Sequence, residues 1–205
     1  MNPVFKKILT AALLAFALNV NAQELGPEEL VKTIIEDVMA EVNTDKQLAA
    51  GDADKAAKLA EQKILPHIDF EEATRLAASR AWPQASPEQR RKLVAEFRSM
   101  IVRTYANAIS AYKGQQMRLL PSRNKAGVGE ATVRYQFMRS GGRPVQIHYE
   151  MRKTSAGWKI YDINIEGISL VLTYRTEFDS IVKQDGVDGL IRRLGEKNAP
   201  ARLAL

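Results

Sequence analysis

The side chains in this sequence best suited to acid–base chemistry are two carboxylates, Asp162 and Glu166, which flank an apolar segment. A carboxylate held in an apolar pocket can act as a general base. A carboxylate at the end of a strand more often accepts hydrogen bonds from backbone amides or pairs with an arginine. We therefore favour a structural role for Asp162, Asn164 and Glu166, and we predict no catalytic residue.

The sequence offers no recognisable metal site or nucleophile. Neither histidine has a sequence-adjacent carboxylate or the spacing of metal ligands: His67 follows Pro66 between two predicted helices, and His148 lies on the polar side of a predicted strand. The absence of cysteine excludes disulfides, thiolate ligands and thiol nucleophiles. The motifs GxSxG and HExxH and a phosphate-binding glycine loop are also absent. We expect neither a metal nor a cofactor.

The spacing of apolar residues predicts helices in the first half of the chain. Apolar residues from Val31 to Val42 recur with the period of an amphipathic helix. Two further helices are expected over 54–64 and 69–80, the second with Asp69 as its N-cap. Ser86-Pro87-Glu88-Gln89 resembles a capping box, and it precedes a long helix that should end near Gly114.

In the second half of the chain the apolar period changes to that of strands. A short strand over 116–120 and alternating patterns over 133–137 and 145–151 predict an antiparallel meander, with a hairpin turn at 140–142. The segment 158–165 is apolar on both faces, which predicts a central strand covered on both sides. Helical patterns resume over 168–182 and 187–194. The sequence thus predicts an α+β fold, with helices packed on one curved antiparallel sheet of about four strands.

The first 22 residues have the layout of a cleavable secretory signal peptide. Lys6 and Lys7 precede an apolar run from Ile8 to Val20, and Val20-Asn21-Ala22 supplies the small-residue cleavage site. The run of about 13 residues is too short for a membrane-spanning helix, which needs about 20. We expect residues 1–22 to be removed and residues 23–205 to form a single soluble domain outside the cytoplasm.

Basic residues are concentrated in the middle of the chain. Residues 90–153 contain 14 basic and 3 acidic side chains, whereas residues 23–89 contain 7 basic and 14 acidic ones. A cationic surface attracts anionic lipid headgroups, nucleic acid or an acidic protein partner, and export disfavours nucleic acid. A solvated basic face without a partner explains the same charges.

The alternating strands place aromatic and β-branched side chains on one face of the predicted sheet, opposite the long helix. A filled core and a ligand cavity are lined by the same residue types, so the pattern alone does not separate them. The predicted inward-facing residues are Phe97, Ile101, Tyr105, Val133, Tyr135, Phe137, Val145, Ile147, Tyr149 and Met151.

One segment of the sequence resembles the MlaC family, also called the toluene-tolerance family. This segment runs from Trp158 to Leu170 and continues through Thr173-Tyr174-Arg175 to Phe178. The resemblance covers essentially the whole mature chain. Its other landmarks occur in the expected order, and they are Ile64-Leu65-Pro66, Asp69-Phe70, Trp82, Arg103-Thr104-Tyr105 and Gly186-Val187-Asp188-Gly189-Leu190-Ile191.

The resemblance implies a soluble periplasmic phospholipid carrier without catalysis of its own, which helps to maintain the lipid asymmetry of the outer membrane. The implied cargo is a phospholipid. The implied partners are an inner-membrane ABC transporter with a mammalian-cell-entry domain, an outer-membrane lipoprotein–porin complex and, transiently, the membrane surface. Under this interpretation the inward-facing residues named above line an apolar lipid cavity, whereas Trp158, Tyr161 and Ile163 belong to the core.

Two other functions fit the residues. One is a small-molecule enzyme on a cone-shaped α+β fold, with Asp162 as general base in an apolar pocket. It requires a perturbed acid that solvent can reach. The other is a periplasmic adaptor whose basic segment binds an acidic partner and whose core is full.

Overall fold

Helices precede and follow a single antiparallel sheet. The computed structural model describes residues 25–106, 108–109, 116–121, 129–138 and 142–199. The predicted signal peptide, the helix end near Gly114 and most of the hairpin turn at 140–142 lie outside these ranges. Within them, the helices are α1 (Pro27–Thr44), α2 (Lys46–Ala49), α3 (Ala53–Leu59), α4 (Phe70–Ala78), α5 (Pro87–Tyr105) and α6 (Leu170–Asn198). The strands are β1 (Gln116–Leu120), β2 (Glu130–Met138), β3 (Val145–Thr154), β4 (Gly157–Ile165) and β5 (Ile168–Ser169).

The predicted α+β class is confirmed, and the sheet has five strands rather than about four. All neighbouring strands are antiparallel, in the order β1-β2-β3-β4-β5. None of the helices in the described ranges combines the length and the apolar character that a membrane span requires. The fifth strand has two residues only, because the chain turns directly from it into α6.

Helix α1 covers the sheet at β2. It begins with Pro27, which lacks an N–H donor and is tolerated in the first turn, where that N–H would have no helical partner. The predicted amphipathic pattern is confirmed, because one side of the helix is buried. The buried side chains are Leu30, Val31, Ile34, Val38 and Val42.

Side chains fix the first turns of α4 and α5, as the sequence predicted. The carboxylate of Asp69 accepts a hydrogen bond from the Glu72 amide at 2.9 Å. Ser86 and Gln89 form a reciprocal capping box, in which each side chain accepts from the other residue's amide, at 3.2 and 2.9 Å. Such caps satisfy amides that have no partner in the first turn, and each stabilises a helix by about 1 kcal/mol.

The connection from α3 to α4 departs from α-helical geometry. The predicted helix over 54–64 is regular only to Leu59, and it continues as a wide π-helical turn, Ala60–Ile64. A 3₁₀ turn with Pro66 follows, Leu65–His67. Proline removes an amide donor and clashes with the preceding turn, so the helix cannot continue through it.

A β-bulge in β4 corrects the prediction that this strand is apolar on both faces. Met151 pairs with Ile160, and Tyr149 pairs with Ile163. Between these two pairs β4 has two residues, whereas β3 has only one. Met151 and Tyr149 share a sheet face, which places Ile160 and Ile163 on that face too. The alternation is interrupted at the bulge, and this interruption looked like a two-faced strand in the sequence.

Strand β4 has a neighbour on both sides, as the sequence predicted, but it is next to the last strand of the sheet. On the side away from β3, its pairing within the described residues is limited to the two residues of β5 and, through Ile160, a single bridge to Ile68. The tight turn between β4 and β5 has positive φ at both central residues, 53° at Glu166 and 87° at Gly167. Two-residue hairpin turns of this kind favour glycine, which has no Cβ to clash.

The two helical segments predicted at the C-terminal end of the chain form the single helix α6, which bends at Gly186. Gly186 has φ 69° and ψ −173°, a backbone conformation that only glycine adopts readily. The bend lets both halves of the helix follow the surface of α4 and α5.

The apolar interior is divided between two large clusters. One joins the sheet to α1 and α3, and it includes Val31, Val133 and Ile160. The other joins α4, α5 and α6 around Phe97 and Phe178. Each cluster is packed within itself, so the space between them is the natural place for a cavity.

Candidate functional site

An apolar cavity of about 250 Å³ lies between the two clusters and is partly open to solvent. Its wall combines Val38 and Ile160 from the sheet cluster with Phe97 and Val171 from the helical cluster. The irregular connection 60–70 completes the wall, because its departure from α-helical geometry brings apolar side chains to the gap. Both clusters therefore contribute to one site.

The cavity wall contains hardly any charge. Among the lining residues that the structure describes there is no lysine, arginine or histidine, and Asp162 is their one charged side chain. Among the lining residues that the structure describes, Ala108, just after α5, is the one exposed to solvent. A wall of this composition suits a long hydrocarbon chain and gives no counter-ion to an anion.

Asp162 is held by hydrogen bonds from the first residues of α6. Its Oδ1 accepts from the amides of Val171 at 3.1 Å and Ile163 at 2.8 Å, and its Oδ2 accepts from the Ser169 hydroxyl. Ser169 in turn caps α6 through the Leu172 amide. These hydrogen bonds fix the Asp162 side chain at the first turn of α6. Both oxygens are occupied, which is the structural role that the sequence favoured.

The other two polar residues of the junction also bind backbone. The side-chain carbonyl of Asn164 accepts from the Gly167 amide at 2.9 Å, which closes the tight turn. The carboxylate of Glu166 accepts from the Gln146 amide at the start of β3. Together with Asp162, these residues fix the path from β4 into α6.

A pair of tyrosine hydroxyls lies beside the cavity wall. Tyr105, the last residue of α5, lines the cavity, and its hydroxyl is 3.3 Å from the hydroxyl of Tyr174 on α6. Burial raises the pKa of Tyr174 well above its ordinary value, and the hydrogen bond with Tyr105 raises it further. Tyr174 therefore stays protonated at physiological pH and remains available as a hydrogen-bond donor.

The structure places part of the predicted inward-facing set in the cavity wall. The predicted residues that line the cavity are Phe97, Ile101, Tyr105, Ile147 and Tyr149. The others lie outside its wall, and they are Val133, Tyr135, Phe137, Val145 and Met151. Helix α1 explains the difference, because it covers β2 and encloses Val133, Tyr135 and Met151 in the sheet cluster.

Several lining residues were not predicted to be there. Tyr161 and Ile163 line the cavity, although the sequence assigned them to the core, whereas Trp158 packs against the sheet cluster as expected. Helix α1 contributes Ile34, Ile35, Val38 and Met39. The sequence does contain a signal that α1 lines the cavity. Pairs of adjacent apolar residues give this helix an apolar face that is wider than packing against one neighbouring element requires.

Comparison with known proteins identifies the family. The family described as "MlaC protein" matches residues 32–196. The chain belongs to the MlaC family. This family is the one that the segment 158–170 resembled, so that prediction is confirmed.

Two relatives of this MlaC-family chain extend over nearly its whole length. The intermembrane phospholipid transport system binding protein MlaC of Haemophilus influenzae is 23% identical over 191 residues, which cover 91% of this chain and 89% of that protein. Toluene tolerance protein ttg2D of Pseudomonas putida is 19% identical over 189 residues, which cover 92% of this chain and 87% of that protein.

A solved structure has the same fold. It is the phospholipid-binding protein from Ralstonia solanacearum in complex with a phospholipid. That chain is 37% identical to this one and superimposes with a TM-score of 0.78, over 85% of this chain and 97% of its own length. The fold of this solved structure and the match to the MlaC family therefore agree.

Proposed function

We propose that this MlaC-family protein is a periplasmic phospholipid carrier that moves lipid between the outer and inner membranes and helps to maintain outer-membrane lipid asymmetry. The observation that carries the proposal is the cavity between the two apolar clusters, whose described lining residues include no basic side chain. Residues 1–22, with the layout of a signal peptide, support export. The phospholipid-bound relative at 37% identity supports phospholipid as the cargo.

The physical need for such a carrier is large. A diacyl lipid has about 30 methylenes, and at about 0.8 kcal/mol each their exposure to water costs on the order of 20 kcal/mol. A protein that moves such a lipid through water must cover most of both chains. The headgroup can remain at the mouth of the cavity, so few polar residues are needed inside. The lining predicted for lipid contact, Phe97, Ile101, Tyr105, Ile147 and Tyr149, fits this requirement.

The donors around Asp162 support a carrier over an enzyme. A general base needs a free oxygen that can reach its substrate. In this protein the two carboxylate oxygens accept hydrogen bonds from Ser169, Ile163 and Val171, and they anchor α6. A carrier requires no catalytic residue, and no metal or cofactor.

The first test is native mass spectrometry of the full chain after export to the periplasm and mild purification, followed by extraction and identification of any bound lipid. We expect a stoichiometric phospholipid. A protein at its bare mass that takes up no lipid from phosphatidylethanolamine and phosphatidylglycerol vesicles would contradict the proposal. That result would favour the adaptor, whose basic surface binds an acidic partner.

The proposed partners are the outer-membrane lipoprotein–porin complex and the inner-membrane ABC transporter with its mammalian-cell-entry domain. The relative from Haemophilus influenzae bears the name of an intermembrane phospholipid transport system, which supports partners at both membranes. The basic segment supports electrostatic attraction, since Arg91, Arg98 and Arg103 of α5 are exposed.

Salt provides the test of this attraction. Exposed charges are screened over about 8–10 Å at physiological ionic strength, so added salt should slow lipid uptake from phosphatidylglycerol vesicles. The triple variant Arg91→Gln, Arg98→Gln, Arg103→Gln should be slower at low salt and less sensitive to salt. Uptake that is independent of salt in the wild type would remove the steering role and leave lipid binding unaffected.

A further inference from the structure

The part of the cavity wall that the structure describes has no side chain that could neutralise a phosphate. No basic residue lies among its described lining residues, and Asp162, their one acid, would repel an anion. Burying an unpaired phosphate costs far more than burying a neutral polar group. If the cargo is a phospholipid, as proposed above, its phosphate must therefore stay in solvent at the mouth. In the lipid, the polar groups that follow the phosphate toward the acyl chains are the two ester carbonyls. These groups are neutral and can only accept hydrogen bonds.

An ester carbonyl that enters the cavity needs a neutral donor. A buried acceptor without a partner weakens binding, because it loses its hydrogen bonds to water. The neutral hydroxyl donors of the cavity wall are those of Tyr105, Tyr149 and Tyr161. In the described wall, three side chains could therefore donate a hydrogen bond to the lipid.

Two of these tyrosines have surroundings that fit the ester less well. Burial raises the pKa of Tyr161, and the nearby carboxylates of Glu150, Glu130 and Asp162 raise it further, so its hydroxyl faces negative charge. The ring of Tyr149 packs edge-on against Tyr135, with ring centres 6.3 Å apart, inside the sheet cluster.

Tyr105 has both the location and a proton to donate. It precedes the exposed lining residue Ala108 by three residues, about one helical turn. Its hydroxyl and that of Tyr174 share one hydrogen bond, which uses one of their two protons. If Tyr174 donates to Tyr105, the Tyr105 proton points to another acceptor.

We propose that the Tyr105 hydroxyl donates a hydrogen bond to an ester carbonyl of the bound phospholipid, with Tyr174 donating to Tyr105. The chain of hydroxyls strengthens the last donor, because each hydrogen bond polarises the next. The protein then selects diacyl ester lipids over dialkyl ether lipids with the same chains and headgroup, since an ether has no carbonyl to accept the bond.

The experiment is a competition for the lipid-free full chain. Vesicles contain equal amounts of dioleoyl phosphatidylglycerol and its dialkyl ether analogue, and the lipids that copurify with the protein are quantified by mass spectrometry. We expect the wild type to take the ester lipid in about fivefold excess, the value of one net hydrogen bond. Tyr105→Phe should reduce this ratio to about one while total lipid uptake remains.

Two matched variants separate this role from a structural one. Tyr135→Phe removes a hydroxyl from the sheet cluster outside the cavity wall and should leave the ester preference unchanged. Tyr174→Phe removes the supporting donor and should reduce the preference only in part. Circular dichroism of the lipid-free variants checks their folding, and Tyr105→Leu replaces Tyr105→Phe if the latter does not fold.

The outcomes distinguish this inference from the proposed function. A wild-type ratio near one, or an ester preference that survives Tyr105→Phe, overturns the assignment of Tyr105 and leaves the carrier intact. Complete loss of the preference in Tyr174→Phe alone assigns the donor to Tyr174 and also overturns it. A wild type that takes neither lipid contradicts the proposed function itself.

Discussion

Arg152 connects the sheet to the helices through carboxylates that lie largely out of solvent. Its guanidinium donates from β3 to Asp69 at 2.7 Å and to Glu72 at 3.2 Å, and Arg75 holds the same Glu72 at 2.5 Å. The side chains of Asp69 and Glu72 are only 11% and 13% exposed, so these contacts are less screened than surface pairs. Removing one member leaves a partly buried charge without its partner.

Glu72 should therefore make stability depend on pH. The hydrogen bond from Arg75 lowers the pKa of Glu72 below its ordinary value, and the charge of Arg152 lowers it further. A lowered folded-state pKa stabilises the protein above the unfolded-state pKa of about 4.5, and this contribution is lost as the pH falls through the folded-state value. Glu72→Gln should cost about 1–2 kcal/mol at about pH 7, and its difference from the wild type should shrink below about pH 4.5.

Urea unfolding at several pH values measures this difference. Glu71→Gln is the control, since Glu71 is the exposed neighbour of Glu72 on the same helix, and it should unfold like the wild type. A Glu72→Gln deficit that stays constant from about pH 7 to about pH 3 would show that the ionised carboxylate is not the source of the stability.

At the scale of elements, the bend of α6 and the cap at its start decide how this helix closes the cavity. Its first turn is tied to β4 through Asp162, and Leu170 and Val171 line the cavity there. Its second half packs on α5, where Asn198 donates to the Glu96 carbonyl at 2.9 Å. A straight helix from the same start would follow a different line, so the bend at Gly186 is required for both contacts.

We expect Gly186→Ala to destabilise the protein by about 1–3 kcal/mol, because alanine is strained at this φ and ψ. No atom lies within 4 Å of a Cβ built at Gly186, so the cost arises from the backbone rather than from a clash. Gly195→Ala is the matched control in the same helix. Its nearest contact is 3.8 Å, and thermal unfolding should show it at or slightly above wild-type stability. Equal effects of the two substitutions would contradict the role of the bend.

At the scale of the whole molecule, the division of the core is the feature that creates a binding site. The sheet cluster and the helical cluster are each close-packed, and their facing surfaces form the cavity wall. A single merged core would leave no room for a ligand, since protein interiors contain few large voids. The cavity contributes no packing energy when it is empty, so a bound hydrocarbon chain should stabilise the protein.

A charge placed in the cavity should abolish lipid binding without a comparable effect elsewhere. Ile101→Glu introduces a carboxylate into the wall, where it would have to stay unpaired beside the lipid chains. Val94→Glu is the matched control, because Val94 is a half-buried residue of the same helix that packs against the Trp82 cluster outside the cavity. We expect native mass spectrometry to find at least tenfold less lipid on Ile101→Glu than on Val94→Glu, a difference that about 1.4 kcal/mol suffices to produce. Equal lipid content of the two would exclude this cavity as the lipid site.

The sequence pattern predicted most of the local structure. The period of the apolar residues predicted α1 and the strands, Asp69 and Ser86 marked their helix starts, and the segment 158–170 identified the family. These features depend on short-range geometry, such as the 3.6-residue period or a side chain that reaches its own backbone three residues later. The role of Asp162 was also accessible, because strand-end carboxylates commonly accept from nearby amides.

The location of the cavity depended on tertiary structure. Val133 and Tyr135 face inward as predicted, but α1 lies over β2 and makes them part of a filled cluster. Ile163 lines the cavity instead, because its strand β4 lies near the edge of the sheet. The bulge in β4 brought Ile160 and Ile163 to the same face of that strand, and no local signal marks it. An apolar side chain has the same identity in a core as in a cavity wall, so the sequence determined which residues face inward, and only the packing of helices against the sheet decided where a ligand can fit.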